Sequence, residues 1–181
     1  AVASRDGQRA RAYADEWKIQ EAYGSYEELL ARDDIDVVYN PLPNHLHAPA
    51  ALACIERGIA CLVEKPVAET IAAGLRVAEA SERAGVPVLV GHHRRHSPDI
   101  REAKRVIEAG ELGPLVAVNG MTLFDKPEDY FEAAWRRQSG GGPLLINLVH
   151  DLDVLRHLVG EIESVRAFTS SPARGFEVEN R

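Results

Sequence analysis

The apolar positions of this chain follow two rhythms. Short unbroken apolar runs alternate with longer stretches in which apolar residues return every three or four positions. The first pattern predicts buried strands and the second amphipathic helices. Residues 7–18 put Ala10, Tyr13, Ala14 and Trp17 on one helical face. Ser25 with Glu28 predicts a capping box and a second short helix. Ile35 to Tyr39 reads as a strand, ended by Asn40-Pro41-Leu42-Pro43-Asn44. A helix over about 45–57 stops at Gly58 in a left-handed cap. Ile59 to Val63 is the next strand, running into Glu64-Lys65-Pro66, where the proline holds Lys65 toward an extended backbone. An alanine-rich helix over 69–84 closes at Gly85, and Val86 to Val90 is a strand ended by Gly91. Ser97 and Pro98 open a helix that runs to Gly110, with a cap followed by proline at the first helical position.

Such alternation predicts βαβ units in a parallel sheet covered by helices on both faces. Ala1-Val2-Ala3 reads as the last part of a strand, so the chain is expected to begin inside an element. After Gly113 the pattern changes. Leu115 to Phe124 predicts a longer strand, followed by an acidic loop with Pro127; Gly140-Gly141-Gly142-Pro143 leads into a helix over 143–159, and Ser164 to Ser170 predicts another strand. The remaining residues, to Asn180 and Arg181, supply no closing element. Two domains are expected, 1–96 and 97–181, with the helix at 98–109 as the bridge.

Composition narrows the function classes. The chain has 181 residues, 45% hydrophobic and 27% charged, which is globular and leaves room for one domain and part of another. No apolar run approaches the ~20 residues of a membrane span, and Ser4-Arg5-Asp6 stands where a secretory leader would be apolar. A net charge of −7 opposes general nucleic-acid binding. The basic stretch His92-His93-Arg94-Arg95-His96 is short enough to be a site for a small anion. Cys54 and Cys61 are expected to be reduced thiols in a reducing, cytoplasmic setting.

Three constellations could carry chemistry. Lys65 stands at the carboxyl end of a parallel strand, and the strands ending at Asn40 and Gly91 also finish in polar segments. Several strands emptying polar loops at one edge describe a ligand crevice, although Glu64 and Lys65 would also suit a surface ion pair. On the 143–159 helix, Leu145, Leu148, Leu152, Leu155 and Val159 form one apolar face. His150 lies opposite, beside Ile146 and Val154, flanked by Asn147 and Asp153. It is either a structural imidazole in a second interface or an acid/base, and Lys65 is the partner a base would need. The triple glycine suits a phosphate cradle or a crowded tight turn. His45, His47, His92, His93 and His96 show no spacing completed by cysteine or carboxylate, and no metal is expected.

The segments Pro43-Asn44-His45-Leu46-His47, Val63-Glu64-Lys65-Pro66, Gly91 to Pro98, Trp135-Arg136 and Gly140-Gly141-Gly142…His150-Asp151-Leu152-Asp153 occur in an order and spacing that resembles the Gfo/Idh/MocA oxidoreductases. The resemblance covers nearly the whole chain. It implies an α/β fold: a Rossmann-type parallel sheet, N-terminally incomplete, followed by an α+β substrate domain, C-terminally incomplete. The G-x-G-x-x-G fingerprint does not occur in these residues; its usual place would precede Ala1. The 181-residue chain is therefore expected to bind NADP no better than millimolar.

Further implications follow from the family. They are hydride transfer between NADP or NAD and a sugar, inositol or related polyol, and a homo-oligomer, dimer or tetramer, formed through the second domain. By resemblance Lys65 contacts the reacting hydroxyl and His150 is the acid/base; Asn147 and Asp151 join them at the substrate, and Asp151 and Asp153 have the orientation of either His150 or the substrate as open roles. Ser4 and Arg5 fall where the adenosine ribose is read and, without an acid there, favour NADP. Pro41, Asn44, His47, Glu64 and Lys65 correspond to positions lining the dinucleotide. Arg94, Trp135 and Arg136 correspond to positions near the nicotinamide and substrate. Many members carry Asp where this chain has Ile146, which leaves a non-catalytic sugar- or nucleotide-binding sensor, or an inactive truncated form, as alternatives.

Overall fold

The computed structural model describes residues 1–123, 125–138, 141–142 and 144–168, which fall into two compact units, Ala1–Val90 and Gly91–Arg181. The division falls between Val90 and Gly91 rather than after His96, because the turn that follows Val90 sends its side chains to a helix of the second unit.

The first unit carries β1 (Val2–Ala3), α1 (Gly7–Trp17), β2 (Ala22–Tyr23), α2 (Tyr26–Leu30), β3 (Val37–Asn40), α3 (Asn44–Glu56), β4 (Ala60–Val63), α4 (Ile71–Ala84) and β5 (Val88–Val90). All pairings are parallel. β1 lies beside β2, and β3-β4-β5 form a separate three-stranded sheet with Tyr39 opposite Leu62 and Leu62 opposite Leu89. The helix ends follow the sequence chemistry. Asp6 caps α1 by accepting from Gln8 N at 2.9 Å, Ser25 caps α2 through Glu28 N at 3.1 Å, and Thr70 caps α4 through Ala73 N at 3.2 Å. Each such cap contributes about 1 kcal/mol. Glu28 completes the α2 box one residue early, accepting from Gly24 N at 3.0 Å. Gly58 and Gly85 take φ of 72° and 65°, as a left-handed helix stop requires.

The core lies between one face of the β3-β4-β5 sheet and helices α2, α3 and α4. It includes Leu29, Leu30, Ala51, Cys54, Ile55, Cys61, Val63 and Val77. Fully burying a Val, Leu or Ile contributes about 1.5–3 kcal/mol, so this cluster dominates the unit's stability. On the opposite face Val37, Tyr39, Leu62 and Leu89 are exposed by 62, 56, 37 and 65% among the described residues. Their apolar character is that of strands suited to cover on both faces, as the continuous apolar runs predict. Between β1 and β3 lies a slot of about 580 Å³, lined by Val2, Ala3, Ile35, Val37, Tyr39 and Tyr13 among others. Cys54 and Cys61 are free thiols, both buried.

The second unit opens with a 3-10 turn over His93–His96 and continues with α5 (Pro98–Glu108). Short 3-10 turns follow at Glu128–Phe131 and Ala134–Arg137, then a π-helical segment, Leu144–Leu148, passing into α6 (Val149–Val159). Ser97 caps α5 through Ile100 N at 3.3 Å. The strand expected over 115–124 is not formed in its described part. Val116, Met121 and Leu123 are 95, 81 and 81% exposed, and a strand without a neighbour leaves its backbone groups to water. Residues 164–168 likewise form no strand. Phe124, Gly140, Pro143 and residues 169–181 lie outside the described residues.

The helix expected over 143–159 is divided into a π-helical segment and an α-helix. His150 and Asp153 are enclosed, Leu145, Leu148 and Leu155 are half-buried, and Leu152 and Val159 are 45 and 40% exposed. The face that carries His150 is thus covered, as expected of a residue in a second interface, and Arg95 holds Asp153 there. Among the described residues no helix is long and apolar enough to cross a membrane.

Candidate active site

In the first unit, the residues after β3 and β4 are knitted together by the backbone. Glu64 N donates to Asn40 O at 3.0 Å, extending the β3-β4 ladder past the strand ends. The Glu64 carboxylate accepts from Tyr39 Oη at 3.0 Å and from Lys65 N at 3.2 Å. Burial, followed by the Glu64 carboxylate, pushes the Tyr39 hydroxyl pKa up. Asn40, 2% exposed, donates through Nδ2 to His47 O at 3.1 Å and accepts from Leu42 N at 3.3 Å. The Lys65–Pro66 bond is cis.

His47 is 1% exposed, with Nδ1 2.6 Å from Pro66 O and Nε2 2.5 Å from Leu42 O. The imidazole therefore ties the two polar loops to α3 and acts on the crevice through their backbone. Asn44 is also buried, Pro41 is exposed, and Glu64 and Lys65 are half-buried. At the end of β1, Ser4 is half-buried and Arg5 exposed; Asp6, the nearest acid, is engaged in capping α1. Ser4, Arg5, Pro41, Glu64 and Lys65 thus stand just past the carboxyl ends of parallel strands, where an α/β sheet binds its dinucleotide. The glycine turn for its pyrophosphate is not among the 181 residues.

In the second unit, α6 gathers the remaining side chains. His150 is 5% exposed, and the ring centroid of His93 lies 4.8 Å from its own, edge to face. Arg94 Nη1 donates to Asp151 Oδ1 at 2.5 Å, and Thr122 Oγ1 to Asp151 Oδ2 at 2.9 Å. Arg95 forks onto Asp153, with Nε 2.9 Å from Oδ2. Asn147, in the π-helical segment, accepts from Lys126 Nζ at 3.5 Å. That i→i+5 segment takes more residues per turn than an α-helix, so Ile146 and Asn147 do not keep regular α-helical spacing from His150.

Arg136 stacks on Tyr130, its guanidinium carbon 4.1 Å from the ring centroid, and donates to Tyr130 O at 2.8 Å. Gly141 accounts for part of the triple glycine: a Cβ there would lie 2.1 Å from Trp135 O. At Gly141 the requirement is therefore close backbone packing. Among the described residues no group of His, Cys, Asp and Glu is arranged to hold a metal.

Each unit thus collects its own expected residues. Tyr39, Arg95, Thr122 and Lys126 were not singled out beforehand. The adjacency of Arg95 to Arg94 and the helical spacing of Asp153 from His150 bring each residue near the site, but no sequence signal pairs the two.

Comparison with known proteins agrees with this division. Residues 1–92 match the oxidoreductase family with an NAD-binding Rossmann fold, GFO/IDH/MocA, and residues 100–181 match the GFO/IDH/MocA C-terminal domain. The chain is 36% identical, over 100% of its length and 55% of the relative's, to D-xylose 1-dehydrogenase (NADP(+)) 2 of Haloferax volcanii. It is 33% identical to 1,5-anhydro-D-fructose reductase of Ensifer adhaerens, covering 89% of this chain and 49% of that protein. A solved structure of the WlbA dehydrogenase from Bordetella pertussis, in complex with NADH and UDP-GlcNAcA, superposes with a TM-score of 0.92 at 28% identity, over 98% of this chain and 52% of that one. The chain spans about half the length of the curated relatives it matches. With both family domains matched in order along its length, the chain belongs to the Gfo/Idh/MocA oxidoreductases.

Proposed function

We propose that the protein transfers a hydride between a nicotinamide dinucleotide and a sugar, inositol or related polyol, with Lys65 and His150 as the acid/base pair. The observation that carries this reading is the enclosure of His150 on α6, at 5% exposed, within a cluster of paired charges and imidazoles. The names of the relatives, which act on xylose and anhydrofructose, support the substrate class. When bound, the nicotinamide supplies or accepts the hydride. The chain's own residues handle the proton. Lys65 donates a hydrogen bond to the reacting oxygen and stabilises negative charge there, and His150 takes or returns the hydroxyl proton. Such proton transfer contributes typically ~10²–10⁴-fold.

Ser4 and Arg5, rather than an acid, stand directly at the end of β1 where a ribose 2′-hydroxyl would be read, which favours NADP. The free thiols of Cys54 and Cys61 fit a reducing compartment such as the cytoplasm. Self-association through the second unit is part of the same proposal, supported by the exposed apolar residues Val116, Val118, Met121 and Leu123. Light scattering that found only monomer would remove that part.

The test of the activity is the absorbance of reduced nicotinamide, followed with the intact protein across a panel of polyols and ketoses. Turnover that falls at least a hundredfold in Lys65→Ala and His150→Ala supports the assignment; equal turnover in wild type and Lys65→Ala overturns it. A second reading, a sensor that binds without turnover, is favoured by Ile146 at the position of the family's Asp. Substrate binding without hydride transfer across the whole panel would select it.

A further inference from the structure

Two consecutive arginines of the turn at the start of the second unit meet two aspartates on α6. The pairs are not equivalent. Arg94–Asp151 is open: the side chains are 43 and 35% exposed, and Asp151 shares its charge with Thr122. Arg95–Asp153 is enclosed on the acid side, where Asp153 is 7% exposed with both oxygens held by one guanidinium. An exposed pair adds little to stability. A buried carboxylate held by a fork is fixed in direction as well as distance, and removing one partner strands a charge.

The environment of the fork shows what it holds. Asp153 stands one helical turn beyond His150, on the same side of α6. His92 Nδ1 lies 3.9 Å from Asp153 Oδ1, and the ring centroid of His92 lies 6.3 Å from that of His150. Arg95, His92 and His93 all belong to one short segment, so fixing Arg95 fixes the two imidazoles that face His150.

We propose that Arg95 and Asp153 are positioning residues for His150: their fork clamps the His92–His96 segment onto α6 and sets the imidazole surroundings in which His150 exchanges its proton. This rests on the reading of His150 as the acid/base. Neither residue touches substrate in this account; both act through His92, His93 and His150. The other charged groups near the fork are Arg94, Asp151 and His157.

The test compares Asp153→Asn, Arg95→Lys and the exchanged pair Arg95→Asp/Asp153→Arg with wild type. A single ammonium cannot reproduce the two parallel bonds of a guanidinium. Asp153→Asn and Arg95→Lys are expected to lower kcat about 10- to 100-fold, a loss typical of groups that orient a reacting side chain, with KM within about threefold. They are also expected to move the midpoint of the His150 ring titration, followed by NMR in the protein without cofactor. Partial recovery of kcat in the exchanged pair gives further support.

Unchanged kcat and an unchanged His150 midpoint in both single variants overturn the proposal. So does a loss that thermal melting traces wholly to unfolding, with a normal His150 midpoint in the fraction still folded. His150→Ala serves as the control. If it keeps full turnover, the proposed acid/base role has failed; if it is inactive while Asp153→Asn and Arg95→Lys match wild type, only the positioning role has.

Discussion

The Nδ1 of His47 lies 2.6 Å from the carbonyl oxygen of Pro66, across a separation of 19 residues. With Leu42 O on the other ring nitrogen, one buried imidazole joins the loops that follow β3 and β4. Losing the partner of a buried polar group costs about 1–3 kcal/mol. His47→Ala is therefore expected to lower unfolding free energy by about that amount in urea titration, and His47→Gln, which keeps one donor, by less. The same variants should weaken cofactor binding, because the loops carrying Lys65 and Pro41 lose their shared anchor.

Gly141→Ala should disturb the turn that carries Trp135 and Arg136. The added Cβ would meet Trp135 O at 2.1 Å, which is backbone and cannot rotate away. Forcing an extra carbon into such a contact costs typically ~1–3 kcal/mol. A drop in melting temperature, with KM for substrate rising more than kcat falls, is the expected result.

Cofactor choice is open to a direct test at Arg5. Its exposed guanidinium, beside Ser4 at the end of β1, suits a 2′-phosphate. Arg5→Ala should reduce the preference for NADP over NAD, expressed as the ratio of kcat/KM values, by about tenfold, equivalent to ~1.4 kcal/mol. An unaltered ratio would move the ribose contact to other residues.

Acid should expose the contribution of Asp153. Burial alone would push its carboxyl pKa up, but the hydrogen bonds from Arg95 and the charges of His92, Arg95 and His157 hold it below the usual carboxylate range. A depressed folded pKa gives stability that is present above the unfolded value, ~3.9, and lost as pH falls through the folded one. Wild type should consequently lose more stability than Asp153→Asn between about pH 5 and about pH 3, measured by urea unfolding at each pH.

Much of the first unit was legible in the sequence because its helix ends are chemical signals. Ser25, Gly58 and Gly85 perform locally what their residue type predicts, and Asp6 and Thr70, which were not read as caps beforehand, do the same. The two-residue strand β2 was not legible, since Ala22-Tyr23 has no period of its own and is defined only by its neighbour Val2-Ala3. The second unit was less legible for the same reason. Val116, Val118 and Met121 have strand character, but pairing depends on a partner that a local pattern does not contain.

The site shows a similar limit. Lys65 and His150 stood out by position. The pairing of Arg95 with Asp153 spans 58 residues, and that of Tyr39 with Glu64 spans 25, distances over which charge and hydroxyl patterns carry no register. Residue type placed His150 in a covered position on α6, but did not show that Asp153 would be enclosed beside it.

The slot between β1 and β3 would tie cofactor affinity to sheet continuity if a strand filled it. A parallel strand seated there would join both sheets in the order β2-β1-strand-β3-β4-β5, with the reversal of strand order beside the slot. That reversal is where an α/β sheet receives a dinucleotide. Seating of the strand and binding of the nucleotide would then strengthen each other by the same factor, as reciprocal linkage demands.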